Sequence, residues 1–248
     1  MLKIIQVGHD DASDRYIRNK MRAIEEAGME AQLVSLPETC TTDDVINEVR
    51  HASHERYCNA VMVQLPLPKH INKAQVLMSI PPWLDIDGLN PGSNYEPLTA
   101  SAIMRWLREK GVNLKGKNVT VLGRSELVGK PLANLLIDAG ATVAVCNSHT
   151  KPGMMQALCV RSDIVVSAVG KLDMVICDYV ASFKKQIFID VGINRDDHGK
   201  LCGDISPAAQ QAIVEAGSEY TPVPGGVGKW TVRELLIRLR EMERRSKR

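Results

Sequence analysis

Two residues four apart, Tyr16 and Lys20 in Tyr16-Ile-Arg-Asn-Lys20, share one face of a predicted helix. They set an ionisable amine beside an aromatic ring. A lysine on a helix is ordinarily a solvated charge. Gln64, in Val63-Gln-Leu-Pro-Leu-Pro68, closes a predicted buried strand, where its amide must find partners. Asp87, in Asp85-Ile-Asp-Gly88, precedes a glycine, and its plain role there is to form the turn. The stretch Tyr220-Thr-Pro-Val-Pro-Gly-Gly-Val-Gly-Lys-Trp-Thr231 is richer in glycine and proline than any ordinary connector needs to be. Few side chains shield its backbone, so a flat ligand can approach the amides closely; a rigid connector is the plainer alternative.

A second group of residues suits a dinucleotide. After the run Asn118–Leu122 comes Gly123-Arg-Ser-Glu-Leu-Val-Gly129-Lys-Pro131, which reads as strand, glycine turn and helix. That order sets backbone amides and a helix N-terminus against a phosphate. The spacing is Gly-x-Ser-x-x-x-Gly rather than Gly-x-Gly-x-x-Gly, and a simple strand-to-helix turn is the alternative. A fold selecting NAD carries Asp or Glu at the end of the following strand. Here Thr142–Cys146 ends in Asn147-Ser148-His149-Thr150-Lys151, with no carboxylate. These groups, with Arg124 in the glycine turn, suit a 2′-phosphate and favour NADP over NAD. Ser167-Ala-Val-Gly170 and Asp190-Val-Gly-Ile-Asn194 end two more apolar runs with small residues. Such residues suit either a ligand crevice or close strand–helix packing.

The elements that must position these residues alternate along the chain. Strands are predicted at Lys3–Val7, Gln32–Leu36 and Ala60–Leu65. Helices are predicted at Asp14–Ala27, opened by Ser13 and stopped by Gly28; from a cap within Thr41–Asp44 to about Tyr57; and at Asn72–Ser79. In the second half, Asn118–Leu122, Thr142–Cys146, Asp163–Ala168 and Gln186–Val191 are Val/Ile-rich, as strands covered on both faces are. Helices are predicted over 130–139, 152–160 and 177–183. Thr231–Arg245 closes the chain with Val232, Leu235, Leu236 and Leu239 on one face. A Pro- and Gly-rich passage around 90–100 leads into a helix near Ser101–Lys110. The reading is an α/β protein of two parallel-sheet domains. Residues 1–98, joined by the last helix at 231–248, form the first, and 99–230 the second.

Composition narrows the function classes. With 248 residues there is room for two modest domains, and the net charge of +2 gives no reason to expect nucleic acid. The basic run near the end (Arg238, Arg240, Arg244, Arg245, Lys247, Arg248) is interrupted by Glu241 and Glu243 and reads as a solvated helix end. No two of the 6 cysteines have Cys-x-x-Cys spacing, and His51 and His54 share a helical face without a third ligand, so no metal site is expected. The apolar run Leu2–Val7 is too short for a signal segment or a membrane span, which points to a cytoplasmic protein with no membrane partner.

Together, Tyr16-x-x-x-Lys20, Val63–Pro68, Asp85–Gly88, Gly123-Arg-Ser-x-x-Val-Gly-x-Pro131, Asp190–Asn194 and Pro222–Gly228 resemble the bifunctional methylenetetrahydrofolate dehydrogenase/cyclohydrolase family, in the family's order and over nearly the whole chain. The resemblance implies an N-terminal α/β catalytic domain and a C-terminal Rossmann-type domain with helices on both faces of its sheet. It implies NADP as cofactor, tetrahydrofolate one-carbon substrates in the cleft between domains, a homodimer, and a product that feeds purine biosynthesis. Lys20 is then the catalytic group, Tyr16 lies over the pterin, Gln64 positions Lys20, and Asp87 binds the amino-pyrimidine edge. Val63 and Leu65 flank the substrate, and Pro224, Gly225 and Gly226 form its wall. The cofactor falls to Gly123, Arg124, Ser125, Val128, Gly129, Ser148, Ala168, Val169, Gly170, Gly192 and Ile193.

The chemistry explains these residue types. Hydride leaves the methylene carbon for the nicotinamide, and the product is a methenyl cation. Burial and that positive charge both disfavour an ammonium at Lys20. A neutral amine can then act as base toward the water that opens the ring to 10-formyltetrahydrofolate. The chain departs from the family in several places: a helical segment expected before Lys3 is missing, so the N-terminus reads as shortened. The passage Gly88–Pro97 is also short; Pro97-Leu-Thr-Ala100 keeps only part of Pro-Cys-Thr-Pro; Lys229-Trp230 replaces Pro-Met; and Asn147 stands for a usual His. A dehydrogenase-only member, a non-catalytic folate- or nucleotide-binding paralogue, and a shikimate-type dehydrogenase are the competing readings. The last gives no reason for Gln64-Leu-Pro-Leu-Pro68 together with the Pro-Gly-Gly loop.

Overall fold

The computed structural model describes residues 1–246, and the chain divides into two compact units, Met1–Leu98 with Val232–Arg248, and Thr99–Thr231. The last two basic residues, Lys247 and Arg248, lie outside the described residues.

The first unit is built on three parallel strands, β1 (Leu2–Val7), β2 (Ala31–Leu36) and β3 (Ala60–Val63), in the order β2-β1-β3. Alternation along β1 and β3 sends side chains to opposite faces. Ile5, Val7, Val61 and Val63 pack on one side with α2 (Thr42–His54) and α3 (Lys73–Ser79), through Val45, Val49, Val76 and Leu77. Leu2, Ile4, Ala60 and Met62 pack on the other with Ile17 and Ile24 of α1 (Asp11–Glu26). Leu235, Leu239 and Met242 of the final helix complete that second core. Helix α1 begins three residues before the position expected, because Asp10 rather than Ser13 is the cap; its carboxylate accepts the Ser13 amide at 2.9 Å. Helix α2 starts from a reciprocal capping box between Thr41 and Asp44. Strand β3 stops at Val63, two residues earlier than expected, ahead of a cis Leu65–Pro66 bond.

The second unit carries a fully parallel five-stranded sheet in the order β10-β7-β6-β4-β5. Its first helix is α4 (Leu98–Glu109), followed by β4 (Asn118–Leu122), α5 (Gly129–Asp138), β5 (Thr142–Cys146), α6 (Pro152–Arg161), β6 (Ile164–Ser167) and β7 (Ile187–Asp190). A short hairpin, β8 (Asn194–Arg195) and β9 (Leu201–Cys202), precedes α7 (Pro207–Glu215), β10 (Glu219–Tyr220) and α8 (Val227–Ser246). Val119, Val121, Ile164, Val166 and Ile189 face α4 and α5, whereas Leu122, Val165 and Phe188 face α6 and α7. Helices therefore cover both faces, as the Val/Ile-rich runs require.

Other elements also differ from the sequence-based expectation. The predicted helix over 177–183 is a single 3-10 turn, Cys177–Tyr179. Helix α7 was not expected at all; Ser206 caps it and Pro207 occupies its first turn. Helix α8 starts at Val227 instead of Thr231, so the end of the glycine loop is already helical.

Candidate active site

Helix α1 presents Tyr16 and Lys20 one turn apart, and the Lys20 ammonium nitrogen lies 5.0 Å from the centre of the Tyr16 ring. Lys20 is not a surface charge: it is only 6% exposed. Its Nζ donates to Gln64 Oε1 at 3.2 Å and contacts Met62 Sδ at 3.3 Å. Gln64 is itself fixed, because its Nε2 donates to Leu65 O at 2.6 Å and its backbone amide donates to Ile5 O at 2.8 Å. The end of β3 thus holds the amine through an amide that is itself hydrogen-bonded.

Asp87 arrives by a neighbouring route. The segment around Asp85 runs parallel to β3, with Val61 amide donating to Leu84 O and Ile86 amide to Val61 O. Continuing that register sets Asp87 level with Val63. The turn-forming role falls to Asp85, not Asp87: Asp85 is fully buried, and its two oxygens accept the amides of Gly88 at 3.1 Å and Asn90 at 2.7 Å. Among the described residues, no hydrogen bond or ion pair takes up the half-buried Asp87 carboxylate, which stays open to a ligand.

The electrostatics of this cluster follow from burial. Burial pushes the Lys20 amine below its ordinary value, and the Asp87 charge opposes that shift only in part. Burial pushes Asp87 up, against the attraction of Lys20 and with reinforcement from Asp85. The Tyr16 hydroxyl is raised by burial and then by Asp87. Arg238 on α8, read from the sequence as part of a solvated helix end, is instead buried; it donates from Nη1 to Ile86 O at 3.0 Å and pairs with Glu234. Only its i,i+4 spacing to Glu234, on the otherwise apolar face of the last helix, signalled it.

The remaining expected residues lie in the second unit, at the carboxyl edge of its sheet. Gly123 sits at φ +103°, and a Cβ there would fall 2.5 Å from Ala168 O. A Cβ on Gly129 would fall 2.2 Å from Gly123 O. Both glycines are therefore required for the turn to close, leaving a concave backbone of the kind that admits a pyrophosphate. Ser125 Oγ accepts the amides of Val128 and Gly129 at 3.2 and 3.4 Å, while Arg124 is exposed. At the end of β5, Asn147 and Thr150 are taken up in a local turn: His149 amide donates to Asn147 Oδ1 and Asn147 amide to Thr150 Oγ1. Ser148 remains exposed there. Val169, Gly170 and Ile193 are exposed, and Gly192 is buried. In the glycine loop Pro224 and Gly225 are exposed, while Gly226 is packed where a Cβ would fall 2.5 Å from Pro222 O.

A doubly wound parallel sheet, with a glycine turn after its first strand and no carboxylate after its second, defines the second unit as a dinucleotide-binding α/β fold. Comparisons with known proteins agree. The family description "Tetrahydrofolate dehydrogenase/cyclohydrolase, catalytic domain" matches residues 1–87, and its "NAD(P)-binding domain" matches residues 97–247. The bifunctional protein FolD of Streptococcus pneumoniae serotype 4 is 38% identical over 244 residues, spanning 95% of this chain and 83% of that protein. The Trypanosoma brucei methylenetetrahydrofolate dehydrogenase-cyclohydrolase, solved with NADP and an inhibitor, is 36% identical at a TM-score of 0.92, covering 100% of this chain and 87% of that one. The chain belongs to the tetrahydrofolate dehydrogenase/cyclohydrolase family. Shikimate dehydrogenase of Thermus thermophilus, 17% identical at a TM-score of 0.57 over 99% of this chain and 100% of that one, shares the fold alone. The family description includes α8 in the nucleotide-binding part, yet from Val232 onward the helix packs into the core of the first unit.

Proposed function

We propose that this chain oxidises 5,10-methylenetetrahydrofolate with NADP and hydrolyses the resulting methenyl cation to 10-formyltetrahydrofolate. The observation that carries the reading is the buried Lys20 amine, held by Gln64 and lowered in basicity by its surroundings. The glycine turn Gly123–Gly129 fits a pyrophosphate, and exposed Arg124 and Ser148 suit a 2′-phosphate; NADP, when bound, accepts the hydride.

The chain's own residues do the rest. Asp87 receives the N–H donors of the amino-pyrimidine, a charge-assisted contact. Tyr16 lies against the pterin. Val63 and Leu65 flank it, and Pro224, Gly225 and Gly226 are further substrate contacts. The neutral Lys20 amine removes a proton from water as its oxygen bonds to the methenyl carbon. The resulting ammonium gives that proton to the ring nitrogen as its bond to the one-carbon unit breaks, and the added oxygen loses its second proton to solvent, which leaves a formyl group. The remaining cofactor contacts fall to Ser125, Val128, Ala168, Val169, Gly170, Gly192 and Ile193. Family membership supports three further parts of this reading: a homodimer, a cytoplasmic location and supply of purine biosynthesis. Among the described residues no helix is long and apolar enough to cross a membrane.

Pure protein is mixed with 5,10-methylenetetrahydrofolate and NADP or NAD, and reduced cofactor and methenyl product are followed separately. NADP should be reduced faster, with later loss of the methenyl signal. Reduced cofactor without that loss identifies a dehydrogenase alone, and no turnover identifies a binding paralogue. Lys20→Ala should lower hydrolysis by about 10³-fold, within the range of general acid–base catalysis, and hydride transfer by less. Hydrolysis in the wild type should rise with pH through a midpoint below the ordinary lysine value, the sign expected when the neutral amine is the active form. Equal residual rates for the two steps in the variant contradict this division of roles.

A further inference from the structure

The loop after β6 contains a concavity of backbone amides that is already filled by the protein itself. The amides of Val169, Gly170 and Lys171 converge on the Asp204 carboxylate at 3.0, 3.2 and 3.0 Å. Ser167 Oγ donates to the same group at 2.8 Å and Asn194 Nδ2 at 2.9 Å. Asp204 is 0% exposed, so five donors saturate a fully buried carboxylate. Successive amides in such a turn ordinarily form an anion site. A Cβ on Gly192 would fall 1.8 Å from Asp204 Oδ1, so the chain after β7 closes on the carboxylate as well.

The position of this loop gives it significance. From β4 the chain passes to β5 on one side and then, through α6, crosses back to β6 on the other side of β4, so the strand order reverses between β4 and β6. Ligands of open α/β sheets bind at the carboxyl ends of the strands at that reversal. The two loops meet there, since Ala168 O occupies the space a Gly123 side chain would take. With their amides turned to Asp204, residues 169–171 cannot offer them to a phosphate. They present the exposed Val169 side chain and Gly170 instead.

The geometry points to Asp204 as a positioning residue for the nucleotide: an internal anion that fixes the Ala168–Lys171 loop and confines phosphate recognition to the Gly123–Gly129 turn. This rests on the reading of the second unit as the NADP site. Asp204→Ala and Asp204→Asn are compared with the wild type by calorimetric titration with NADP without folate, by hydrogen exchange of the amides of residues 169–171, and by steady-state kinetics. In Asp204→Ala those three amides should exchange at least about tenfold faster, and NADP should bind at least about tenfold more weakly, as for loss of a charged acceptor. The KM for NADP should rise more than kcat falls. Added sodium formate, which can enter the vacated position, should restore part of the affinity relative to sodium chloride at equal ionic strength. Asp204→Asn should lie between the two. Faster exchange with unchanged NADP affinity overturns the role of Asp204. So does weaker affinity with the three amides still protected, or an affinity that formate does not move. Wild-type protein that binds no NADP overturns the functional reading, and this role with it.

Discussion

The two units solve the same packing problem and place their chemistry differently. Each sandwiches a parallel sheet between helices, with alternate strand residues feeding two cores. In the first unit the functional edge is made of long side chains: Lys20, Tyr16, Gln64 and Asp87, with Asp87 left unengaged. In the second it is made of backbone, and two carboxylates there are consumed internally: Asp204 takes five donors, while Asp190 takes the amides of Gly192, Asp204 and Ile205. An acidic residue therefore means opposite things in the two halves. In the first, an open carboxylate can meet N–H donors of a ligand. In the second, Asp190 and Asp204 are turned onto donors of the protein itself and are buried, so neither carboxylate is offered to an anionic ligand.

The largest effect that sharpens this contrast is expected from Gly129→Ala. The new Cβ would meet Gly123 O at 2.2 Å, a backbone atom that cannot swing aside. NADP reduction should fall by about 100-fold, as when a reacting group is displaced by about 1 Å. Hydrolysis, which takes no nucleotide, should suffer less. Equal losses would show that the two edges are not separable.

Asp87→Ala should act in the other half. It should raise the KM for the folate by about 10- to 100-fold, the range for losing a hydrogen bond to a charged group, with little change in the affinity for NADP. An unchanged folate KM would remove Asp87 from the site.

A separate effect, outside the kinetics, concerns stability. Burial raises the Asp190 carboxyl from its ordinary value to about 6. The native state therefore holds this proton more tightly than the unfolded chain does. Its contribution is full below the unfolded value, near 3.8, and is lost as pH rises through about 6. Between those limits the loss is on the order of 3 kcal/mol for a shift of that size. Denaturant unfolding between pH 4 and 7.5, set as working conditions of about that span, should show the wild type losing stability relative to Asp190→Asn. Parallel curves would mean that the amide donors around Asp190 already offset its burial.

Much of this contrast was legible from residue order. The Val/Ile-rich runs identified the sheet of the second unit, because a strand covered on both faces must be continuously apolar. Gly123 and Gly129 marked the turn, because no side chain fits there. Helix α7 was missed because Pro207-Ala-Ala-Gln-Gln-Ala carries only a weak apolar stripe; the burial of Ala209 and Ile213 sustains it. The start of α1 was misplaced because Asp10 and Ser13 are both good caps, and only the folded backbone chooses between them. In Asp85-Ile-Asp-Gly88 the turn-forming role was read at Asp87, the carboxylate next to the glycine. Pairing of Ile86 with Val61 assigned the turn to Asp85.

The sequence by itself determined most of the strands and helices and which residue types reach the two edges, because periodicity, glycine turns and caps act over a few neighbours. Tertiary structure alone decided that Lys20 is buried and held by Gln64, 44 residues further along, and that Asp204 rather than a ligand fills the amide nest after β6. Both depend on contacts between distant segments, where the cost of burying a charge is met by partners that no local spacing can reveal.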